Sequence, residues 1–245
     1  MNSKLENKID SLKKMSIEEL CEKFNCKPEE ICMGDYYACN TSDTVCPYKV
    51  VLGFANFEGS NVTSLGNLEV VYGKKLADAF GVIYSMNHQP IYLSLNLKKS
   101  KITSLGKLRK IYGSVNLNEN ITTMKDVEFL GTNLYVFNSN LQDLGNIEII
   151  DGILNLEDDD KKCKITSLGK LKKVRTIYLD TNSLKDLGEL EEFREIRFGN
   201  RCNFRIRKLF EDNFKKVGTR YLRKDLIQNQ DEIDDEDQTQ DQTQD

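Results

Sequence analysis

The six residues ITSLGK occur at positions 102–107 and again at 165–170, and VTSLGN at 62–67 is nearly the same. Self-similarity at a fixed period excludes most globular folds and points to a stacked array. Taking the second apolar residue of each short β-like pair as a marker gives Phe57, Ala77, Leu97, Leu117, Phe137, Leu156, Leu179 and Phe198. The steps are 20, 20, 20, 20, 19, 23 and 19, and the long one contains the insertion DDDKK at 158–162. A second marker follows at Val62, Val82, Ile102, Ile121, Leu141, Ile165 and Leu184, and a third at Leu65, Leu105, Met124, Leu144, Leu168 and Leu187.

The unit reads as an L-x-L strand, a polar turn, I-T-S-L-G-x-L-x-x-I-x-G, and the next strand. Alternate strand residues point to opposite faces, so Leu95 and Leu97 are expected inside and Asn96 outside. A strand of three or four residues cannot bury its apolar side alone. Copies stacked about 4.8 Å apart form a parallel sheet over one continuous core. The glycine after each LG leucine lets the chain turn sharply, and the Thr/Ser pair can satisfy turn amides with hydroxyls. The stretch Lys74 to Pro90 reads as a degenerate unit of the same period.

This pattern resembles the leucine-rich repeat family in its short, bacterial-type form of about 20 residues, over roughly Val50 to Gly199. The LG step and the glycine before each strand also resemble the related L-domain type of β-solenoid. The resemblance implies a parallel solenoid whose strand face receives a partner protein. The turns EGSN, KKSK, NEN and NSN lack a steady asparagine.

Four regions are expected: an N-terminal helical cap over 1–47, a repeat solenoid of seven to eight units over 48–200, a basic helical C-terminal cap over 201–228, and an acidic tail over 229–245 too polar to fold. Ser16 with Glu19 forms a capping box opening a helix to about Phe24. Pro28 starts a further short helix. At the other end, Phe204, Ile206, Leu209, Phe210, Phe214, Val217, Tyr221 and Leu222 have the spacing of an amphipathic cap. The net charge of −4 hides an asymmetry. Residues 201–224 carry nine Lys/Arg against two Asp/Glu, and residues 225–245 carry nine Asp/Glu with no Lys/Arg. The first residues contain no apolar run of signal-peptide length, and no stretch approaches a membrane span. The expectation is a cytoplasmic protein, monomeric on its own, with no membrane contact and reduced thiols.

Catalytic signatures are sparse. Cys21, Cys26, Cys32, Cys39 and Cys46 crowd 26 residues, yet they lack a C-x2-C knuckle and a nearby histidine. Structural thiols are the favoured reading, with zinc as the alternative. His88 is the single histidine and has no identifiable nucleophile beside it. No phosphate-binding glycine loop or G-x-S-x-G or H-E-x-x-H motif is present. Neither an enzyme nor a cofactor is therefore expected.

The expected site is the outward strand face. By alternation it carries Asn96, Asn116, Val136, Asn155, Tyr178 and Arg197, flanked by Ser94, Ser114, Leu134, Ile153 and Thr176. Leu134, Val136, Ile153 and Tyr178 would form an apolar patch with an aromatic anchor, a plausible binding hot spot. The corners alternate in charge: Lys107, Arg109 and Lys110 are basic, and Glu189, Glu191 and Glu192 acidic. That alternation breaks the continuous positive track nucleic acid needs. The expected function is a non-enzymatic module that binds and modulates an unidentified partner protein. By fold analogy it would be a bacterial or phage effector or inhibitor. The alternative is a nucleic-acid-associated protein using 201–224, with the acidic tail competing.

Overall fold

The computed structural model describes residues 2–75, 92–136, 139–157 and 164–227. The markers Ala77, Val82 and Phe137, together with His88, the insertion at 158–162 and the tail from 229, lie outside them.

The chain forms a parallel β-solenoid with layers about every 20 residues. Each coil contributes two short strands, which stack into two ladders. The first ladder runs through Ile31–Cys32, Val50–Val51, Val70–Val71, Lys110–Ile111 and Phe129–Leu130. The second runs through Tyr36–Tyr37, Ala55–Asn56, Tyr92–Asn96, Ser114–Asn116 and Leu134–Tyr135. The ladders merge in the last three layers, where Ile149–Glu157, Lys173–Asp180 and Glu192–Phe198 run unbroken. Earlier coils bend between the ladders, where Gly34, Gly53 and Gly73 stack through backbone hydrogen bonds. In the last two layers a single residue, Arg175 or Arg194, stands where Asp151 and Gly152 make a bulge, so those strands run straight.

Each coil sends a column of apolar side chains inward. Leu117, Ile121, Met124, Val127, Leu130 and Leu134 form one turn of the core, and Leu156, Ile165, Leu168, Leu171, Val174 and Ile177 another. The corners explain the recurring hexapeptide. The amides of Gly66, Gly106 and Gly169 each donate to the hydroxyl two residues earlier, Ser64, Ser104 and Ser167, at 3.1 Å. Where the sequence departs from ITSLG, Asp143 and Asp186 accept from Gly145 and Gly188 in the same way. The other turn is held by an inward serine: Ser60, Ser100 and Ser139 are buried, and Ser60 and Ser139 donate to the carbonyls of Phe57 and Val136.

The NEN turn solves the same problem with one asparagine. Asn118 is buried, and its amide donates to the carbonyls of Ser100 and Ile102 and to Ser100 Oγ at 2.9–3.1 Å. Its Oδ1 accepts from the amides of Asn120 and Ile121. Asn118→Ala strands several of these groups away from water, and each orphan costs on the order of 1–3 kcal/mol. We expect a loss of about 3 kcal/mol by urea denaturation, whereas the exposed Asn120→Ala should change stability by less than about 1 kcal/mol.

Two sequence expectations change. The stretch from Lys74 to Pro90 adds no layer to the stack. Val70 and Val71 pair directly with Lys110 and Ile111, and Ala55 pairs directly with Leu95, so the stack skips the intervening residues. Lys74–Lys75 pairs antiparallel with Leu93 and Tyr92. The insertion is about one repeat long, which is why it kept the period without adding a layer. The solenoid also begins before residue 48, since Ile31–Cys32 and Tyr36–Tyr37 already pair with the next layer inside the stretch assigned to the cap.

At the N-terminus, α1 (Asn2–Lys13) and α2 (Ile17–Phe24) lie against outward side chains of the first ladder. Leu12 and Leu20 bury a second small core with Ile31, Val50, Leu52 and Tyr72. The capping box at Ser16 and Glu19 is formed. At the C-terminus only α3 (Phe204–Asn213) is helical within the apolar run. Phe214–Val217 and Arg220–Arg223 form an antiparallel hairpin that pairs with the last solenoid strand, Leu222 opposite Glu192 and Tyr221 opposite Phe193. The hairpin pairs with the edge of that strand at Glu192 and Phe193, which a helix cannot do. Phe193, Phe210, Phe214 and Tyr221 close the core with ring centroids 4.8–6.3 Å apart.

Candidate functional site: the outward face of the second ladder

Register decides which side chains face outward. Asn56 aligns with Asn96, Asn96 with Asn116, and Asn116 with Tyr135. The row continues through Asn155 and Tyr178 to Arg197. Asn96, Asn116, Asn155, Tyr178 and Arg197 thus share one row, as the alternation predicts. A flanking row holds Ile153, Thr176 and Glu195, aligned in register.

Leu134 and Val136 do not belong to it. Leu134 pairs with Val115 and Leu154, is 0% exposed and lies in the core with Val136. The marker Phe137 stands one residue too far along, and a slip of one residue exchanges the two faces of a strand. Tyr135 takes the outward place, and the exposed apolar patch of Leu134 and Val136 does not exist. Spacing from the preceding inward residue carries the right signal: Ile111 to Val115, Leu130 to Leu134 and Ile150 to Leu154 are each four apart. Gly131 follows Leu130 directly, one place earlier than the I-x-G of the repeat formula, and obscured this. Ser94 and Ser114 are buried at the bend, where Ser94 donates to the Tyr72 carbonyl and Ser114 shares a hydroxyl bond with Thr132.

The row is polar and cross-braced. Asn96 donates to Asn56 Oδ1 at 3.2 Å and to Glu58 Oε2 at 2.9 Å. Asn155 Oδ1 accepts from the Glu157 amide at 2.8 Å, and its amide group reaches Glu157 Oε2 at 3.3 Å. Asn133, missed by sequence reasoning, donates to the Tyr135 hydroxyl at 3.0 Å and accepts from the Ile153 amide at 2.8 Å. Arg197 lies 5.0 Å from the centroid of the Tyr178 ring and bonds Glu195 Oε1 at 2.6 Å. Burial pushes the Tyr178 hydroxyl up, against the opposing charge of Arg197. Burial also raises Tyr135, with the Asn133 bond opposing. Both phenols are therefore neutral near pH 7. The result is a row of amides and phenols bordered by the carboxylates of Glu58 and Glu157 and ending at the Arg197–Glu195 pair. It suits recognition of a surface offering hydrogen-bond groups and flat apolar area.

The five cysteines are dispersed. Cys21, on α2, and Cys26 pack against the N-terminal core, Cys46 is buried in the solenoid core with Cys32 packed against it, and Cys39 is exposed. Burial pushes the Cys46 thiol up to about 11 and also raises Cys26 and Cys32. Among the described residues, no group of three or more His, Cys, Asp or Glu is placed to hold a metal ion.

Much of the basic C-terminal charge is engaged locally. Arg201 pairs with Asp180 at 2.9 Å, and Arg220 with Glu192 at 3.2 Å. Arg207 donates to the carbonyls of Gly199 and Cys202 and covers the Phe198 ring. Arg223 donates to the Gly188 carbonyl. Among the described residues, no helix is long and apolar enough to cross a membrane. No family model, curated protein or solved structure matches the chain.

Proposed function

We propose that the protein is a non-enzymatic interaction module of the leucine-rich-repeat or L-domain kind, and that it binds and modulates a partner protein through the outward row of the second ladder. The observation that carries the reading is the in-register row Asn96, Asn116, Tyr135, Asn155, Tyr178 and Arg197 on a rigid parallel stack. Side chains held by the stack lose little conformational entropy on binding, which favours recognition. The LG corners and the inward column support the family grouping. An effector or inhibitor acting inside a cell is the setting the analogy suggests. Nucleic-acid binding through 201–224 has less support, because Arg201, Arg207, Arg220 and Arg223 already make contacts within the cap.

Tyr178→Ser with Asn116→Ala tests the surface. Both positions are half-buried and lie away from the core, so the melting temperature should fall by only a few degrees. Partners recovered by affinity capture from source-cell lysate should bind the double variant at least about tenfold more weakly, since aromatic anchors dominate such interfaces. A corner variant, Lys107→Ala, should bind as the parent does. Equal capture by all three proteins removes the face from consideration. Salt-sensitive capture of nucleic acid instead favours the basic cap.

A further inference from the structure

The C-terminal cap carries a cleft that the outward row does not use. It holds about 360 Å3 between α3 and the preceding coil. Leu184, Phe204 and Leu209 supply apolar lining, and Lys185, Arg205 and Lys208 a cationic rim. Phe204 is 74% exposed on the first turn of α3, the most exposed large apolar side chain among the described residues. An apolar slot with a cationic rim fits an acidic segment bearing one apolar residue. This chain contains such a segment. Residues 231–237 read DEIDDED, in which Ile233 is flanked by six carboxylates.

Chain geometry brings the two within reach. Lys224 Nζ donates to the Glu211 carbonyl at 2.9 Å, which ties the end of the described chain to the C-terminal turn of α3. Ile233 follows Ile227 by six residues. That length spans at most roughly 20 Å, more than the roughly 15 Å length of a ten-residue helix. Asp212 sits at the near end of the cleft, and the cations lie further along it. An incoming acidic segment is therefore repelled at the entrance and held beyond it.

We infer that residues 231–237 dock in this cleft in cis, with Ile233 against Phe204 and Leu209 and the flanking carboxylates on Lys185, Arg205 and Lys208. The tether supplies an effective concentration in the millimolar range, so a weak intrinsic affinity suffices. The cleft is then closed to outside acidic ligands until the segment leaves.

The chain has no tryptophan, so Phe204→Trp in the full-length protein places a single reporter in the cleft. With the tether acting at millimolar effective concentration, acrylamide should quench this reporter about threefold less than in Phe204→Trp/Ile233→Ser. Arg205→Glu/Lys208→Glu in the same background should lose the protection, as should about 0.5 M salt, which shortens screening to a few ångströms. Methyl NMR shifts of Leu184 and Leu209 should move between the otherwise native chain and Ile233→Ser, a check that needs no reporter. Equal quenching with unchanged methyl shifts overturns the proposal. Protection that grows with protein concentration also overturns it, because the occupant is then a second copy.

Discussion

Leu134→Asp will unfold the middle of the solenoid. Leu134 sits between Val115 and Leu154 in the stack, fully buried within the apolar core. An unpaired charge there costs more than about 4 kcal/mol, which approaches the whole stability of an ordinary domain. Coils communicate only with their neighbours, so protection from hydrogen exchange should collapse first over the layers on either side. Leu134→Ala should cost about 2–5 kcal/mol in urea melts. The same substitutions would cost less than about 0.5 kcal/mol if Leu134 faced solvent. The experiment therefore decides between the two registers of this strand. A near-neutral Leu134→Asp would restore the outward assignment and remove Tyr135 from the outward row.

Gly145→Ala is the second large effect, and it is best read against Gly169→Ala. Both glycines occupy LG corners with left-handed backbone, φ +61° and +57°. An alanine pays about 1–2 kcal/mol for that conformation at either site. At Gly169 an added Cβ meets nothing within 4 Å. At Gly145 it would lie 2.5 Å from the Met124 carbonyl, backbone that cannot move without shifting the neighbouring coil. Gly145→Ala should therefore lose at least about 3 kcal/mol in denaturant melts, and Gly169→Ala about half of that. Equal losses would mean that the corner stacking is looser than the structure places it.

The repeat itself was legible in the sequence because each coil must solve the same local problems. A corner needs an acceptor for its amide, so LG follows Ser or Asp at Gly66, Gly106, Gly145, Gly169 and Gly188, while Thr123 accepts from Lys125 at the corner that lacks the glycine. A continuous core needs apolar residues at fixed offsets, so Ile102, Leu105, Ile121, Met124, Leu141 and Leu144 all lie in the core. Five of the six residues of the outward row, Asn96, Asn116, Asn155, Tyr178 and Arg197, followed from alternation alone, since each stands beside an inward neighbour.

What the tertiary structure decided were matters of register and of ends. Periodicity cannot tell a coil from an insertion of equal length, and only the pairing of Ala55 with Leu95 removes Lys74 to Pro90 from the stack. A one-residue slip leaves the period nearly intact while reversing both faces of a strand, so Leu134, Tyr135 and Val136 were fixed only by their hydrogen-bonded neighbours. At the C-terminus, the apolar pattern from Phe204 to Leu222 is compatible with one long helix. The unpaired edge of the last strand offers backbone groups that a β-hairpin can satisfy. That long-range demand, invisible in local spacing, turns Phe214–Val217 and Arg220–Arg223 into strands.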